Sequence, residues 1–154
     1  MLVDKVISGG QTGADQGGLY AAKSLGIKTG GCAPNGYRTE KGPDSSLRTV
    51  YGLSESTSEA YTPRTYDNAK NSDGTVWFGK TGSPGYFCTL KACRQYNKPF
   101  YVVIPGSYRK EFQEWVQVNN IKVLNVAGNR ESINPGIFNF VATELVEALN
   151  NATN

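Results

Sequence analysis

The sequence predicts an α/β domain in three layers, with a mainly parallel sheet of about five strands between two layers of helices. Short apolar segments alternate with longer amphipathic segments along the chain, an order typical of a parallel sheet that is covered on both faces. Glycine-rich turns follow three of the predicted strands. The 154 residues suffice for one domain with its own core, and no linker or internal repeat divides them.

Each element has its own signal in the sequence. The first strand is apolar at Val6 and Ile7, and the helix after it ends at Gly26, because glycine is common just past a helix end. Pro99 precedes the fourth strand, and Pro135 lies in the first turn of the last helix. The predicted strands cover 4–8, 27–32, 75–78, 100–104 and 121–126. The predicted helices cover 15–25, 62–71, the segment from the turn at 79–85 to Tyr96, 107–119 and 135–150.

The composition excludes several classes of function. The chain has no histidine, which excludes a histidine base and a histidine-rich metal site. Its 16 basic and 13 acidic residues give a net charge of +3 without any run of Lys or Arg, so we expect no nucleic-acid partner. No apolar run approaches the ~18 residues of a membrane span, and no signal peptide is apparent, so we expect a cytoplasmic protein. The three cysteines are expected to be free thiols.

Four loops of the predicted domain meet at one edge of the sheet. In parallel sheets, ligands bind at the carboxyl ends of the strands, beside the N-termini of helices. The loops at 8–15, 79–86 and 127–134 lie at these ends, and a long polar loop at 34–58 leaves from the same edge. A loop of that length is usually functional or partly ordered by a partner. The sequence therefore predicts a ligand site at this edge.

The turn at 9–15 is the strongest candidate for a binding loop. Its three glycines let a ligand approach the backbone closely, and the N–H groups at the start of the following helix favour an anion. The turn is not a dinucleotide motif, and it lacks the Lys and Ser/Thr pair of a P-loop. Asp15 either holds an amine or hydroxyl of the ligand or stabilises the helix as an acid of its first turn.

Other polar residues complete the predicted site. Arg38 and Arg130 suit a phosphate, because guanidinium donors match phosphate oxygens; alternatively, they pair with the neighbouring Glu40 and Glu131. Tyr86 is the candidate for stacking on a flat ring. The predicted ligand-binding residues are Gly9, Gly10, Gln11, Thr12, Gly13, Asp15, Arg38, Thr65, Asn68, Asp73, Gly82, Ser83, Gly85, Tyr86, Gly128, Arg130 and Glu131.

For three of these residues a structural role is an equal alternative. Thr65 and Asn68 share a helix face and either point at the ligand or contact the long loop. Asp73 precedes a strand and either recognises a polar edge of the ligand or fixes a turn. No residue is assigned to catalysis or to a metal.

Four separated blocks carry a family resemblance that spans nearly the whole chain. They are Ser8–Asp15; Gly30–Arg38 with Glu40, Gly42 and Pro43; Arg64, Thr65 and Asn68 with Ser72–Thr75; and Leu124–Ser132 with Pro135 and Gly136. In these blocks the chain resembles the putative molybdenum carrier family. The resemblance implies the Rossmann-like superfamily that also holds the Lonely Guy phosphoribohydrolases and the DNA-processing protein A fold. It also implies a ligand, either molybdenum cofactor, a pterin bearing a phosphate, or a nucleotide-like molecule.

The chain departs from its relatives at the start of the helix that follows the loop at 79–86. Pro84, Gly85 and Tyr86 stand where members of the family usually have a Gly-Gly-Thr turn, and Thr89 keeps a threonine one turn later. Lys91 lies near the place where the related phosphoribohydrolases have a glutamate that helps to break the N-glycosidic bond. This departure argues against phosphoribohydrolase activity.

These observations predict one Rossmann-like ligand-binding domain at 1–150 and a frayed tail at 151–154. The leading function is non-catalytic binding of a phosphorylated heterocycle, with molybdenum cofactor as the candidate that the resemblance implies. One alternative is a sensor or sequestering protein for a nucleotide-derived signal. The other is a nucleotide N-glycosidase or phosphohydrolase using Asp15 or Glu131. We also expect a homo-oligomer, because related folds pair through helices and the last helix carries Phe138 and Phe140.

Overall fold

The structure is a computed structural model that describes residues 1–150. The predicted tail at 151–154 lies outside the described residues. The strands are β1 (Lys5–Ile7), β2 (Lys28–Gly30), β3 (Cys32–Ala33), β4 (Arg38–Thr39), β5 (Gly42–Pro43), β6 (Ser54–Glu55), β7 (Gly74–Phe78), β8 (Phe100–Val103) and β9 (Val123–Gly128). The α-helices are α1 (Ala14–Ser24), α2 (Ser46–Thr49), α3 (Tyr61–Asn71), α4 (Pro84–Gln95), α5 (Arg109–Val118) and α6 (Ile137–Leu149).

Five strands form one parallel sheet in the order β2-β1-β9-β7-β8. Ile7 at the end of β1 is aligned with Gly30 on one side and Asn125 on the other, and Phe78 at the end of β7 is aligned with Gly128. The carboxyl ends of β1, β9 and β7 are therefore neighbours at one edge. The loops that follow these three strands meet there, as the sequence predicts.

Helices cover both faces of this sheet and enclose separate apolar clusters. On one face, Val126 and Leu124 of β9 pack with residues of α1, α5 and α6 in the main core. On the other face, Ala69 of α3 packs with Ala92 and Cys93 of α4. The arrangement has three layers, and the predicted α/β fold class is confirmed.

The segment predicted as a long loop at 34–58 is largely folded. It contains two small two-stranded sheets, β3 with β6 and β4 with β5, together with helix α2. Leu47 and Leu53 in this segment are buried against Leu19 of α1. The segment is mostly polar, so this apolar contact is not evident from its composition. The segment is thus ordered by contacts within the chain.

The strand predicted at 27–32 is divided in two. Gly31 has φ +124°, and a Cβ at this position would lie 2.8 Å from the Ser8 nitrogen, so the chain turns away from the sheet at a point where only glycine fits. Strand β3 then begins a separate small sheet. Among residues 1–150, no helix combines the length and the apolar character that crossing a membrane requires.

Candidate functional site

The glycine-rich turn between β1 and α1 is closed by its own side chains. The N–H group of Gly10 donates to Ser8 Oγ at 3.2 Å, and that of Thr12 donates to Gln11 Oε1 at 3.0 Å. The N–H group of Gln11 donates to Asp15 Oδ2 at 3.1 Å. These backbone donors, which the sequence predicts as an anion site, therefore already have acceptors within the turn.

Gly13 and Gly128 allow neighbouring loops to approach each other. Gly13 has φ +81°, and a Cβ there would lie 2.5 Å from the backbone oxygen of Asn129. The N–H group of Ala14 donates to the same oxygen at 3.1 Å, so the first donor of α1 also faces this loop. At Gly128, a Cβ would collide with the backbone of Phe78. The contact between strand-end loops thus requires both glycines.

Glu40 fastens the folded segment at 38–43 to the edge of the sheet. Its carboxylate accepts hydrogen bonds from the hydroxyl groups of Thr12 and Ser132, and from the Ser132 N–H at 3.2 Å. The Glu40 N–H donates to Gln11 Oε1 at 2.8 Å. Removal from water alone would raise the pKa of Glu40, but the Ser132 and Thr12 hydrogen bonds outweigh it and hold that pKa below its ordinary value.

The ion pairs offered as alternatives for the arginines do not form within residues 1–150. Arg38 instead donates to the backbone oxygen of Glu59 at 3.1 Å. Glu131 accepts from the N–H groups of Gly136, at 2.6 Å, and Phe138, at 3.0 Å. Both oxygens of Glu131 therefore stabilise the start of α6, as acidic groups commonly do at a helix N-terminus.

A cavity of about 250 Å³ lies at the carboxyl edge of the sheet, between the turn, α3 and the start of α4. Six of the predicted ligand-binding residues line it: Gln11, Asp15, Ser83, Gly85, Gly128 and Arg130. The other lining residues are not among the predicted ligand contacts: Tyr61, Arg64, Trp77, Pro84, Thr89, Ala127, Asn129 and Ile133. Mostly apolar walls with a few polar groups are typical of small-molecule sites.

Gln11 lines this cavity, and one hydrogen-bonding group of its side chain is buried without a partner. Its oxygen accepts from the N–H groups of Thr12 and Glu40, which fixes the orientation of the amide. Its nitrogen, Nε2, is buried and has no partner among the described residues. A buried amide nitrogen without an acceptor is costly, so this group favours a ligand that supplies an oxygen or a ring nitrogen.

Asp15 and Arg64 form a buried pair beside the turn. Asp15 is 4% exposed, and its Oδ2 lies 3.9 Å from an Arg64 nitrogen. Burial raises the pKa of the Asp15 carboxyl, against the opposing effects of Arg64 and of the N–H groups of the turn. The Arg64 guanidinium lies directly against Gly9, where a Cβ would collide with it. Gly9 thus provides room for the arginine.

Three arginines surround the ring of Tyr61, and we call these four residues the arginine cluster. The guanidinium carbons of Arg38, Arg64 and Arg130 lie 5.0, 5.4 and 5.4 Å from the centre of the ring. Within residues 1–150, neither Arg38 nor Arg130 has a carboxylate oxygen within 4.0 Å. The cluster therefore concentrates positive charge at the mouth of the cavity, where an anion would find donors that are not already paired.

The N-terminus of α4 forms the opposite wall of the cavity. Ser83 caps the helix, and its Oγ accepts the N–H of Tyr86 at 3.1 Å, while Pro84 occupies the first helical turn. The indole of Trp77 packs beneath this turn and is 2% exposed. The remaining N–H groups and the positive end of the helix dipole add to the attraction for an anion.

Several predicted residues lie away from the cavity. Tyr86 packs edge-on against Trp77 and Phe100, with ring centres 5.5 and 5.8 Å apart. The aromatic residues that line the cavity are Tyr61 and Trp77. Asn68 makes two hydrogen bonds of 2.9 Å with the Cys32 backbone and holds α3 to β3. These contacts are those of structural residues.

The remaining residues of the predicted set have local roles. Thr65 donates to the Tyr61 carbonyl at 3.0 Å and accepts from Arg64 at 3.1 Å, so it supports the arginine cluster from behind. Asp73 lies at the opposite edge of the sheet, where it accepts from the N–H groups at the start of β9. Gly82 has open space around it at the entrance to α4. Among residues 1–150, no three Cys, Asp or Glu side chains are grouped as metal ligands.

The parallel sheet and the cavity at its carboxyl edge define a Rossmann-like α/β protein. Residues 6–149 match the model of the Circularly permutated YpsA SLOG family, and the chain belongs to this family. It is similar to a crystal structure of a putative molybdenum carrier protein from Syntrophus aciditrophicus SB, with 31% identity and a TM-score of 0.87 over 96% of this chain and 94% of that chain. No curated protein matches the chain. The family resemblance seen in the sequence is confirmed.

Proposed function

We propose that the protein binds a small molecule that joins a flat heterocyclic ring to a phosphate, and that it does so without catalysing a reaction. The observation that carries this proposal is the arginine cluster at the mouth of the cavity. Arg38 and Arg130 have no carboxylate partner within residues 1–150, and a phosphate would offset their mutual repulsion through charge-assisted hydrogen bonds.

The cavity suits the ring of such a ligand. Trp77, Ala127 and Ile133 supply apolar walls, and a volume of about 250 Å³ matches one small ring system with part of its substituent. The free Nε2 of Gln11 would donate to an oxygen or nitrogen at the edge of the ring. The ring and the phosphate would therefore be recognised by different parts of the same site.

Molybdenum cofactor is the ligand that the similar crystal structure suggests, because that protein is described as a putative molybdenum carrier. The phosphate of its pterin would lie at the arginine cluster, and the pterin ring would lie in the cavity beside Gln11. A sensor or sequestering protein for a nucleotide-derived signal would use the same groups, since a nucleotide also joins a heterocycle to phosphate. The identity of the bound molecule separates the two roles.

Native mass spectrometry of freshly purified protein tests the proposal. We expect a fraction of the chain to carry additional mass, which is released on denaturation and absorbs in the ultraviolet as a heterocycle does. A molybdopterin mass supports the carrier role, and a nucleotide mass supports the sensor role. If the protein carries nothing and no phosphorylated heterocycle binds in calorimetric titration, the proposed function is wrong.

A second candidate is hydrolysis of a nucleotide, which the buried Asp15 favours. A carboxyl group that lines a cavity and whose pKa is raised by burial has the properties of a general acid. Against this role, Glu131 is occupied at the start of α6 and the exposed Lys91 stands where related hydrolases have an acid. Chromatography of AMP incubated with the protein tests this candidate; release of adenine or phosphate that disappears in Asp15→Asn would establish the enzyme.

A further inference from the structure

Strand β8 is an open edge of the five-stranded sheet. The carbonyl oxygens of Pro99 and Val103 accept hydrogen bonds from N–H groups at the two ends of β7, at 3.0 and 3.2 Å. Hydrogen-bonding groups alternate between the two sides of a strand, so the N–H and C=O groups of Phe100 and Val102 point away from β7. Within residues 1–150, no other segment supplies hydrogen-bond partners to these groups.

The edge at β8 lacks the features that usually protect an edge strand. Such strands commonly carry charged residues or are covered by another segment. Residues 100–103 are Phe-Tyr-Val-Val, and the side chain of Lys98, just before them, donates to a backbone oxygen after α3 at 2.7 Å. At the other edge of the sheet, β2 carries Lys28, and Thr29 donates to the segment that follows α2 at 2.8 Å. The edge at β8 is therefore the one that is available for pairing.

An exposed stripe on α5 lies beside this edge. Arg109 and Gln113 face α6, where they donate to Glu144 and to the Ala148 carbonyl. The opposite side of α5 faces the open side of β8, because Trp115 packs there on Tyr101 with ring centres 5.2 Å apart. The spacing of a helix puts four residues on this side, which we call the α5 stripe: Tyr108, Glu111, Trp115 and Val118.

The two ends of the α5 stripe are apolar and exposed. Tyr108 is 73% exposed and Val118 is 83% exposed, more than any other large apolar side chain within residues 1–150. Glu111, the charged member of the stripe, is also exposed. Exposed apolar side chains that adjoin an open strand edge extend the surface that a partner could cover.

A two-fold axis through Tyr101 matches the open edge with a second copy of the same strand. In this antiparallel arrangement, Phe100 of each copy exchanges both of its hydrogen bonds with Val102 of the other. A shift by two residues in either direction would need the N–H group of Ile104 or of Lys98. These groups already donate to Ser107 Oγ at 3.0 Å and to the Cys93 carbonyl at 2.9 Å. The strand is thus complementary to itself in one register.

The same axis brings the two α5 stripes together. The helices run antiparallel across the axis, so Tyr108 of one copy lies opposite Val118 of the other. A specific interface buries about 800 Å² on each partner, which is more than one short strand can cover. The α5 stripe supplies additional area, and Glu111 lies at its rim, where water can remain.

We infer that the chain forms a two-fold symmetric dimer through β8 and the α5 stripe, in which the two sheets join into one continuous sheet. The partner that this surface fits is a second copy of the chain. None of its residues lines the cavity of about 250 Å³, so the inference does not depend on the proposed function. It also assigns the expected homo-oligomer to a surface other than α6.

Sedimentation velocity over the micromolar range tests the inference. We expect the wild-type mass to approach twice the 16.7 kDa of one chain. Val102→Pro removes an outward N–H group and no bond to β7, and edge strands tolerate proline there. It should weaken the dimer at least about tenfold with an unchanged circular dichroism spectrum, because a hydrogen bond is lost on each side of the axis.

Two exposed valines provide a second variant and its matched control. Val118→Glu puts a charge on the α5 stripe and should weaken the dimer at least about tenfold without affecting the fold of one chain. Val50→Glu makes the same change at a position that is 44% exposed and lies outside the surface. It should leave the mass unchanged.

Disulfide formation tests the register. Directly opposite residues at the axis have Cα atoms about 4.5 Å apart, within the range of a disulfide, so Tyr101→Cys should give covalent dimers on mild oxidation. Val102→Cys should not, because Val102 lies opposite Phe100. The wild-type protein gives the background from its own free cysteines, two of which are partly exposed.

Three results would overturn the inference. The first is a monomeric wild-type protein throughout the micromolar range. The second is a dimer that Phe138→Glu dissociates and Val118→Glu leaves intact, since the chains would then pair through α6. The third is cross-linking of Val102→Cys without cross-linking of Tyr101→Cys. If Val102→Pro does not fold, Val118→Glu and the cross-linking of Tyr101→Cys decide the question.

Discussion

Replacing Arg130 with alanine tests whether the arginine cluster serves a ligand or the fold. Arg130 is half-buried, lines the cavity at the carboxyl edge of the sheet and lies 5.4 Å from the centre of the Tyr61 ring. Within residues 1–150 it makes no ion pair. The folded state therefore gains little from its charge, whereas a phosphate at the cluster would gain a strong partner.

The expected loss of binding free energy is larger than the expected loss of folding free energy. Losing a hydrogen bond to a charged group costs about 1.5–3 kcal/mol, so Arg130→Ala should weaken binding of a phosphorylated ligand by roughly ten- to 150-fold. The loss of a partly exposed cation–π contact costs about 0.5–1 kcal/mol of folding free energy. Relief of repulsion from Arg38 and Arg64 offsets part of that loss. We therefore expect the free energy of unfolding to change by less than about 1 kcal/mol.

Titration calorimetry measures the affinity, with the co-purified molecule as ligand or, if none co-purifies, the tighter binder of AMP and GMP. Urea unfolding of the ligand-free protein measures stability in parallel. Arg130→Lys is an informative control because it keeps the charge but loses the planar fork of donors, so it should recover only part of the affinity. A large loss of stability with unchanged affinity would show that Arg130 is structural and that it does not bind the ligand.

Three further predictions follow from the contacts around the site. Glu40→Gln should lower the free energy of unfolding by about 1 kcal/mol at pH 7, since the carboxylate is partly exposed. Because the pKa of Glu40 is lowered from its ordinary value of 4.5, this difference should decrease in urea titrations as the pH falls below 4.5, and it should vanish below the pKa of the folded state; a difference that does not decrease in acid would contradict the prediction. Gly13→Ala should cost more than about 2 kcal/mol, and Gly36→Ala, which has a similar φ of +76° in open space, only about 1 kcal/mol; equal losses would show that the loop contact is unimportant. Light scattering at micromolar concentration should give at least twice the 16.7 kDa of one chain; a monomeric mass would count against the expected homo-oligomer, for which Phe138 remains partly exposed while Phe140 packs against Phe78.

The fold could be predicted because its signal is repeated along the chain. Four of the five strands of the sheet are short apolar segments followed by a helical pattern, and no single error changes the result. The segment at 34–58 was harder, since its order depends on two isolated residues, Leu47 and Leu53, whose burial against Leu19 is a long-range contact. A pattern that extends over one or two residues has no periodicity to detect.

The site could be predicted in part, and the reason lies in the topology. Gln11, Ser83 and Arg130 follow strands directly, so their loops could be assigned to the carboxyl edge of the sheet. Tyr61 and Arg64 lie on α3, whose position over the cavity depends on the long crossover from β2 to β7. Their spacing of three residues at the start of a helix is the available signal, because it puts both on one face. Asp73 could have been assigned to the opposite edge, since a residue before a parallel strand lies at its amino end.

In the closed turn, Asp15 either competes with a bound anion for positive groups or contacts the ligand itself, and one prediction separates these two roles. Its carboxylate lies 3.9 Å from Arg64 and accepts the Gln11 N–H, so it competes with an incoming anion for the same positive groups. Removing a like charge within several ångström of a bound anion gains on the order of 1 kcal/mol, so Asp15→Asn should tighten the binding of inorganic sulfate about fivefold at a pH above the pKa of Asp15. Because the pKa of Asp15 is raised, wild-type affinity for sulfate, whose own charge is constant in this range, should rise as the pH falls towards that pKa, and Asp15→Asn should remove this dependence. Weaker binding of a heterocyclic ligand with unchanged sulfate affinity would instead show that Asp15 contacts the ligand itself.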